Sequence, residues 1–284
     1  MGSKNKFSDL MTVGSVVKEI EREVPAGLQE SWDNSGIQIG FEDAPVRKIL
    51  TCLELNHKVA EEAADAGANM IVTHHPLIFG ALRSFSTSYY KDRLIMELIS
   101  SGISVYTCHT PFDKVKGGNN DIVAEKLGLV SVGNLRGEDV GAPDYMLKNS
   151  DEADIGRTGS FSRSISLRQA AEIVSDKLQL SFSQLKVVGN LESEISNVGI
   201  CTGAGADLMQ MAAAAGCELF ITGDVKYHEA QTARELGLCI IDAGHYGTEK
   251  FFGCTMKNLL DRLLGGKVEI ISSCVDIDPF NLIY

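Results

Sequence analysis

Residues 63–73 read AADAGANMIVT, and residues 212–222 read AAAAGCELFIT. Each stretch has the small residues of a helix end, then a glycine at the position of a C-terminal cap, and then a short apolar strand. A polar pair follows each strand, His74-His75 in the first half of the chain and Gly223-Asp224 in the second. This order is typical of βαβ units, whose strands form a parallel sheet.

The same alternation of helices and strands extends outward from both stretches. Around the first, we predict strands at residues 48–55, 70–73 and 103–108 and helices at 57–66, 89–100 and 120–127. Around the second, we predict strands at 198–201, 219–222, 238–242 and 268–275 and helices at 208–215, 227–236 and 248–264. The pattern predicts an α/β protein of two similar units, with mixed, mostly parallel sheets covered by helices. Either a duplication or a chance similarity between two generic βαβ units explains the likeness of the halves.

The composition excludes several classes of protein. Lys plus Arg number 26 and Asp plus Glu 38, so the net charge is −12, which argues against a general nucleic-acid-binding protein. No apolar run approaches the roughly 18 residues of a membrane span, and the polar first nine residues do not resemble a signal peptide. The seven cysteines lie mostly in apolar runs without CxxC spacing. We therefore expect free thiols and a cytoplasmic protein without membrane partners.

Histidines follow the predicted strands. Five of the six occupy such positions: His74, His75, His109, His228 and His245. Because ligand sites of parallel sheets lie outside the carboxyl ends of the strands, we expect these imidazoles at one edge of the fold. The sixth, His57, opens a predicted helix and is expected at the surface. Adjacent residues of an extended chain point to opposite sides, so the His74-His75 pair suits two nearby metal ions, or one ion and one further contact.

Two of these histidines precede a carboxylate by four positions, in His109-x3-Asp113 and His245-x3-Glu249. Imidazole and carboxylate together suit Zn, Mn, Fe, Co or Ni. Either pair alone is also explained by an acidic residue in the first turn of a helix. Both pairs together with the strand-end histidines favour a metal site. Two divalent ions and two carboxylates leave a charge of about +2, which attracts anionic substrates and lowers the pKa of a bound water.

We place the first domain at residues 1–130, with the His-His and His-x3-Asp motifs. The second domain is placed at residues 131–284, with the Gly-Asp-Val-Lys-Tyr-His and Gly-His-x3-Glu motifs.

From about residue 10 to the C terminus, the chain resembles a known family, the GTP cyclohydrolase I type 2 homologues, also called Ngg1-interacting-factor-three-like proteins. The matching motifs are SWDNSGIQIG at 31–40, THHPLIF at 73–79, HTPFD at 109–113, GRTG at 156–159, TGDVKYHEA at 222–230 and DAGHYGTE at 242–249. Some members carry an extra middle domain, for which this chain is too short, so it resembles the compact form.

The resemblance implies two intertwined α/β domains with a dinuclear metal centre in the cleft between them. By motif position, the ligands of two divalent ions per subunit are His74, His75, Asp113, His245 and Glu249, with Glu249 as the bridge. His109 and His228 fall beside the metals as proton carriers or extra ligands. The resemblance also implies a toroidal homohexamer.

Four further features are candidates for a role in the site. Trp32, the single tryptophan, is either a core or interface aromatic or a surface on which a substrate stacks. Asp33 and Asn34 are turn formers, but their place in a family motif makes them candidate substrate-binding residues together with Trp32. The glycines of 203–205 follow a strand as in a phosphate loop, although the full GxGxxG is absent. Cys108 beside His109 is a candidate nucleophile.

Three functions are compatible with these motifs. The first is a metal-dependent hydrolase acting on a nucleotide-like or phosphate-containing small molecule, with His109 or His228 carrying the proton. GTP ring opening is suggested by the family's name only. The second is a metal-binding chaperone or an interaction protein without turnover. The third is a structural α/β ring in which the histidines pack at strand ends. The motifs favour the first hypothesis.

Overall fold

The computed structural model describes residues 10–135 and 155–281. The described chain groups into two compact units. One comprises residues up to Phe112 together with Phe251–Ile277, and the other comprises Asp113–Lys250 with the residues from Asp278 onward. Each unit is thus completed by a segment that lies far away in the sequence. The mixed α/β fold with helix-covered sheets is confirmed, whereas the domain boundary after residue 130 stays a prediction.

The first unit contains a five-stranded sheet in the order β1-β4-β3-β2-β11. Its strands are β1 (Gly36–Ile39), β2 (Lys48–Cys52), β3 (Met70–Thr73), β4 (Ser104–Thr107) and β11 (Glu269–Ser272). All neighbours are parallel except β1, which runs antiparallel to β4. The helices of this unit are α1 (Val13–Glu23), α2 (His57–Asp65), α3 (Tyr90–Ser100) and α10 (Phe252–Leu264).

The apolar sequence of β3 fits a central parallel strand. Met70, Ile71 and Val72 are each 0% exposed, as expected where helices cover both faces of a sheet. Ile71 belongs to a core cluster with Leu50 of β2 and Leu94 of α3. This core fixes the strand and therefore also fixes where the residues after Thr73 emerge.

The second unit contains a six-stranded sheet in the order β5-β6-β8-β9-β10-β7. Its strands are β5 (Val130–Asn134), β6 (Arg157–Ser166), β7 (Lys186–Val188), β8 (Glu194–Ile200), β9 (Leu219–Thr222) and β10 (Cys239–Asp242). The central strands β8, β9 and β10 are parallel, and the three other pairings are antiparallel. The helices are α5 (Asn119–Lys126), α6 (Leu167–Lys177), α7 (Met209–Ala214), α8 (Tyr227–Glu235) and α9 (His245–Glu249), and the chain passes between the units within α4 (Thr110–Lys114).

Two predicted elements differ in the structure. The single helix expected at 248–264 is two helices, α9 and α10. Lys250 and Phe251 between them form a turn with right-handed helical backbone angles. The closing strand β11, expected in the second domain, pairs in parallel with β2 of the first sheet.

Across the two described ranges, no helix has both the length and the apolar character that a membrane crossing requires.

Candidate metal centre

Three imidazoles gather at the carboxyl ends of β3 and β4 in the first unit. The two strands are parallel neighbours with Thr73 opposite Thr107, so the residues that follow them emerge side by side. Ring centroids lie 5.0 Å apart for His74 and His75, 5.1 Å for His74 and His109, and 5.7 Å for His75 and His109. One ring nitrogen from each lies within 4.8 Å of the others. Three nitrogens at this spacing could hold one transition-metal ion.

Each of the three rings is oriented through its Nδ1 atom. The acceptors are the Cys108 carbonyl for His74 at 2.8 Å, Glu54 Oε2 for His75 at 2.8 Å and Asp33 Oδ1 for His109 at 2.7 Å. An acceptor at Nδ1 favours the tautomer with its proton there, which leaves the lone pair on Nε2. Metal-binding histidines are characteristically held in this way.

The Asp33 carboxylate is enclosed and fully hydrogen-bonded. Its side chain is 0% exposed. Besides His109, it accepts from the Asn34 and Thr110 backbone N–H groups and from the Ser35 and Thr110 hydroxyls. Burial by itself would raise the pKa of Asp33. The hydrogen bonds and the positive charge that His109 can carry outweigh burial and hold this pKa well below its usual range. Asp33 is therefore an ionised acceptor that keeps the His109 ring in place.

In the second unit, His245 and Glu249 occupy one face of α9, four residues apart. His245 Nε2 lies 3.1 Å from Glu249 Oε2, and His245 Nδ1 donates to Asp224 Oδ2 at 2.8 Å. Asp224 has a φ of 56°, a left-handed conformation that is uncommon outside glycine and is often found at functional sites. His245 therefore has the same Nδ1-to-acceptor arrangement as the three histidines of the first unit.

Two buried carboxylates accompany His245. Glu249 is 3% exposed and Asp113 is 6% exposed, and one oxygen of each lies within 4.8 Å of the other. Asp113 Oδ1 accepts from Asn119 Nδ2 at 2.8 Å. Two buried like charges at this separation repel each other, and a divalent cation between them removes that cost.

Gly203 makes room for the Glu249 carboxylate. A Cβ at residue 203 would collide with Glu249 Oε1, and the Gly203 φ of +69° is one that other residues rarely adopt. The Gly203 N–H donates to Thr248 Oγ1, and the Gly205 N–H donates to Thr222 Oγ1. Because the protein already uses these two N–H groups, they do not form the phosphate loop that the sequence suggested.

The family model described as Duf34/NIF3 (NGG1p interacting factor 3) matches residues 11–279. The chain belongs to the Duf34/NIF3 family. A Clostridium perfringens protein named GTP cyclohydrolase 1 type 2 homolog is 32% identical over 273 residues, covering 96% of this chain and 100% of the relative. A protein of the same name from Clostridium acetobutylicum is 31% identical over 264 residues, covering 92% and 95%. A solved structure described as a Bacillus cereus protein related to NIF3 has the same fold, with a TM-score of 0.86, 24% identity and coverage of 97% and 100%.

Three sequence interpretations change in this Duf34/NIF3 structure. His228 does not end a strand; it is exposed in the first turn of α8, with its ring 5.2 Å from that of Tyr227. Cys108 is buried, and burial raises the pKa of its thiol, so it does not supply a thiolate nucleophile. Trp32 is 49% exposed and is therefore not a core residue of its unit.

The acceptors that orient the imidazoles were only partly visible in the sequence. The sequence indicates Asp33 as a substrate-binding candidate and Asp224 as part of a polar pair, but it links neither to a histidine. Glu54 gave no signal because it lies within the apolar stretch predicted as a strand at 48–55. The oriented imidazoles of the first unit, and separately His245 with the two buried carboxylates of the second unit, are ligand types that suit divalent transition-metal ions.

Proposed function

We propose that this Duf34/NIF3 protein is a dinuclear-metal-dependent hydrolase that acts on a nucleotide-like or phosphate-containing small molecule. The orientation of the imidazoles carries the proposal, because each clustered ring is held at Nδ1 by an acceptor, which makes Nε2 the nitrogen that would coordinate a metal ion. The proposed ligands of two ions per subunit, each Zn, Fe, Mn, Co or Ni, are His74, His75, Asp113, His245 and Glu249.

The metal ions, when bound, supply Lewis-acid activation of water and stabilise developing negative charge. The protein's own contribution is proton transfer by His109. Asp33 holds the His109 Nδ1–H at 2.7 Å, so Nε2 is the nitrogen that takes or returns a proton. The ionised Asp33 stabilises the imidazolium that forms. His228 is the second proposed proton carrier; it is exposed in α8, and within the described residues 10–135 and 155–281 its ring has no carboxylate acceptor comparable to Asp33.

The relatives' names make GTP the first compound to assay, followed by other nucleotides and simple phosphate esters. We further propose that the protein works in the cytoplasm as a toroidal homohexamer and does not bind nucleic acid in general.

A metal-binding chaperone or interaction protein without turnover is the second candidate. The family description, which names an interacting factor, favours it. The same ligands would then deliver or store metal, and no compound would be turned over by the loaded protein.

Metal content per chain tests the proposal first. Protein purified without a histidine tag or chelator should contain about two transition-metal ions per chain by inductively coupled plasma mass spectrometry. His75→Ala should lose at least half of this metal. His57→Ala is the matched control, because His57 pairs with Glu97 outside the cluster, and it should retain the wild-type content. A wild-type protein that holds no metal and takes up none from added Zn, Mn or Fe would refute the proposal.

Turnover separates the two candidate functions. Metal-loaded protein should hydrolyse at least one compound of the panel, and Glu249→Gln should abolish this activity without unfolding the protein. Full occupancy and full activity in Glu249→Gln would refute the assignment of the bridge. Full metal occupancy without turnover of any compound would favour the chaperone.

A further inference from the structure

Two exposed aromatic rings lie beside the imidazoles of the first unit. Trp32 is 49% exposed and Phe79 is 52% exposed. Their centroids are 6.1 Å apart and their planes differ by 24°, so the two rings form a stacked, nearly parallel pair that we call the aromatic surface. His109 meets this surface edge-on, 5.9 Å from Trp32 and 6.3 Å from Phe79. The aromatic surface thus adjoins the proposed proton carrier.

A hydrogen-bond network holds the segment that carries Phe79 against the loop that carries Trp32. Asn34 Nδ2 donates to the Ile78 carbonyl at 2.6 Å, and the Ile78 N–H donates to Gln38 Oε1 at 3.0 Å. Gln38 Nε2 donates in turn to the Asn34 carbonyl at 2.7 Å. Both residues that bear the rings are therefore fixed before a ligand arrives, which reduces the entropy cost of binding.

The same network leaves one acceptor available next to the rings. Both partners of Asn34 Nδ2 are oxygen atoms, so the amide nitrogen faces them and Oδ1 faces the other way. Within residues 10–135 and 155–281, no group donates to Asn34 Oδ1. Asn34 and Phe79 line a pocket of about 390 Å³ that is open to solvent, together with Gly80, Ala81 and Leu82.

We propose that Trp32 and Phe79 bind a planar heteroaromatic ring of the substrate by stacking, with Asn34 Oδ1 accepting an N–H from the edge of that ring. The assignment of this ring as part of a substrate rests on the proposed function. A flat ring matches the exposed part of the stacked aromatic pair, and an N–H at its edge matches the unused acceptor. A group attached to the edge of the ring nearest His109 lies beside the proposed proton carrier. The ligand class is therefore a heterocycle that carries its reacting group within a few bonds of the ring.

The single tryptophan makes this site directly observable. Because Trp32 is the only tryptophan, all intrinsic tryptophan fluorescence comes from the proposed surface. Wild-type protein is titrated with guanosine, adenosine and uridine, with ribose 5-phosphate as the probe that lacks an aromatic ring. N-acetyltryptophanamide corrects for absorption by the nucleosides. We expect saturable quenching by at least one nucleoside and none by ribose 5-phosphate at the same concentration.

Variants test which residues form the surface. Phe79→Ala should weaken the binding of the quenching nucleoside by about 5- to 150-fold, the range for loss of one aromatic stacking partner. Tyr227→Ala removes a 71% exposed aromatic ring from the second unit and should leave binding unchanged. Asn34→Ala should weaken binding of the same nucleoside, and circular dichroism verifies that each variant remains folded.

The outcomes of these experiments distinguish failure of the stacking site from failure of the hydrolase proposal. Absence of saturable quenching by all three nucleosides in protein with normal metal content would refute the stacking site and leave the hydrolase proposal intact. If wild-type protein binds no metal but still shows saturable quenching by a nucleoside, the stacking site is supported and the hydrolase proposal fails. Fluorescence that changes with protein concentration, but not with nucleoside, would assign the surface to a subunit contact and overturn the proposal.

Discussion

Replacement of Asp33 by asparagine should destabilise the protein even when no metal is bound. One carboxylate oxygen of Asp33 accepts from His109 Nδ1 and the Asn34 N–H, and the other accepts from the Thr110 N–H, the Thr110 hydroxyl and the Ser35 hydroxyl. Asparagine keeps one acceptor oxygen and turns its amide nitrogen toward the donors on the other side. No orientation of the asparagine side chain satisfies both groups of donors.

The magnitude follows from the donors that lose their acceptor. With the amide nitrogen at the Thr110 side, both hydroxyls can rotate, but the Thr110 N–H is left unsatisfied. With the nitrogen at the other side, the Asn34 N–H is left unsatisfied and His109 must move its proton to Nε2. One unsatisfied backbone N–H costs about 1–3 kcal/mol, and loss of a charged acceptor weakens the remaining bonds. We expect a loss of about 2–4 kcal/mol in the free energy of unfolding.

Urea unfolding of chelator-treated protein at pH 7 measures this loss. Asp43→Asn is the matched control, because Asp43 lies exposed in a turn, and it should change stability by less than about 0.5 kcal/mol. The folded-state pKa of Asp33 is lowered. Its contribution to stability is therefore present above the unfolded-state pKa of about 3.9 and is lost as the pH falls through the folded-state pKa. The difference between wild type and Asp33→Asn should be present from about pH 5 to 8 and shrink below about pH 4. A difference below about 0.5 kcal/mol at pH 7, or one that grows as the pH falls below about 4, would refute this reasoning.

Three further predictions concern the metal centre and the thiols. Gly203→Ala should reduce the metal content measured by mass spectrometry. Gly237→Ala is its control, because Gly237 has nearly the same φ of +68° but nothing lies within 4 Å of the added Cβ; this variant should lose about 1–2 kcal/mol of stability and keep its metal. Equal metal loss in both variants would contradict the role of Gly203 in making room for Glu249. Glu54→Gln should weaken zinc binding, measured by calorimetry, by about 10- to 100-fold. Glu97→Gln is its control, because it changes a similar carboxylate–histidine pair with His57, and it should leave zinc affinity unchanged. Equal zinc affinity in the two variants would argue against orientation of His75 by Glu54. A thiol reagent should label two of the seven cysteines, Cys254 and Cys274, rapidly in native protein and all seven in urea. The other five react slowly because burial raises the pKa of their thiols. Rapid labelling of more than two cysteines in native protein would contradict this assignment of buried and exposed thiols.

Much of the fold was predictable because its signals are local. The apolar run of β3 at Met70–Thr73 and the run of β9 at Leu219–Thr222 matched the predicted strands residue for residue. A short apolar run after a glycine-capped helix carries this information within about a dozen residues. Placement of His74, His75, His109 and His245 just after strands followed from the same signals, since parallel strands direct their carboxyl ends to one edge.

The partners of these histidines were not predictable in the same way. Asp33 and His109 are 76 positions apart, and Glu54 and His75 are 21 apart. Which carboxylate meets which ring depends on the register of neighbouring strands and on the loops that follow them. A single sequence carries no periodic signal for such contacts.

The sequence by itself determined the α/β class, the parallel centre of each sheet and the strand-end histidines, because these depend on hydrophobic patterns within single elements. Only the tertiary structure decided that β11 completes the first sheet, that Gly203 makes room for Glu249 and that Trp32 is exposed beside Phe79. These features arise where segments distant in the chain pack together, so the physical reason lies in long-range packing and not in local propensity.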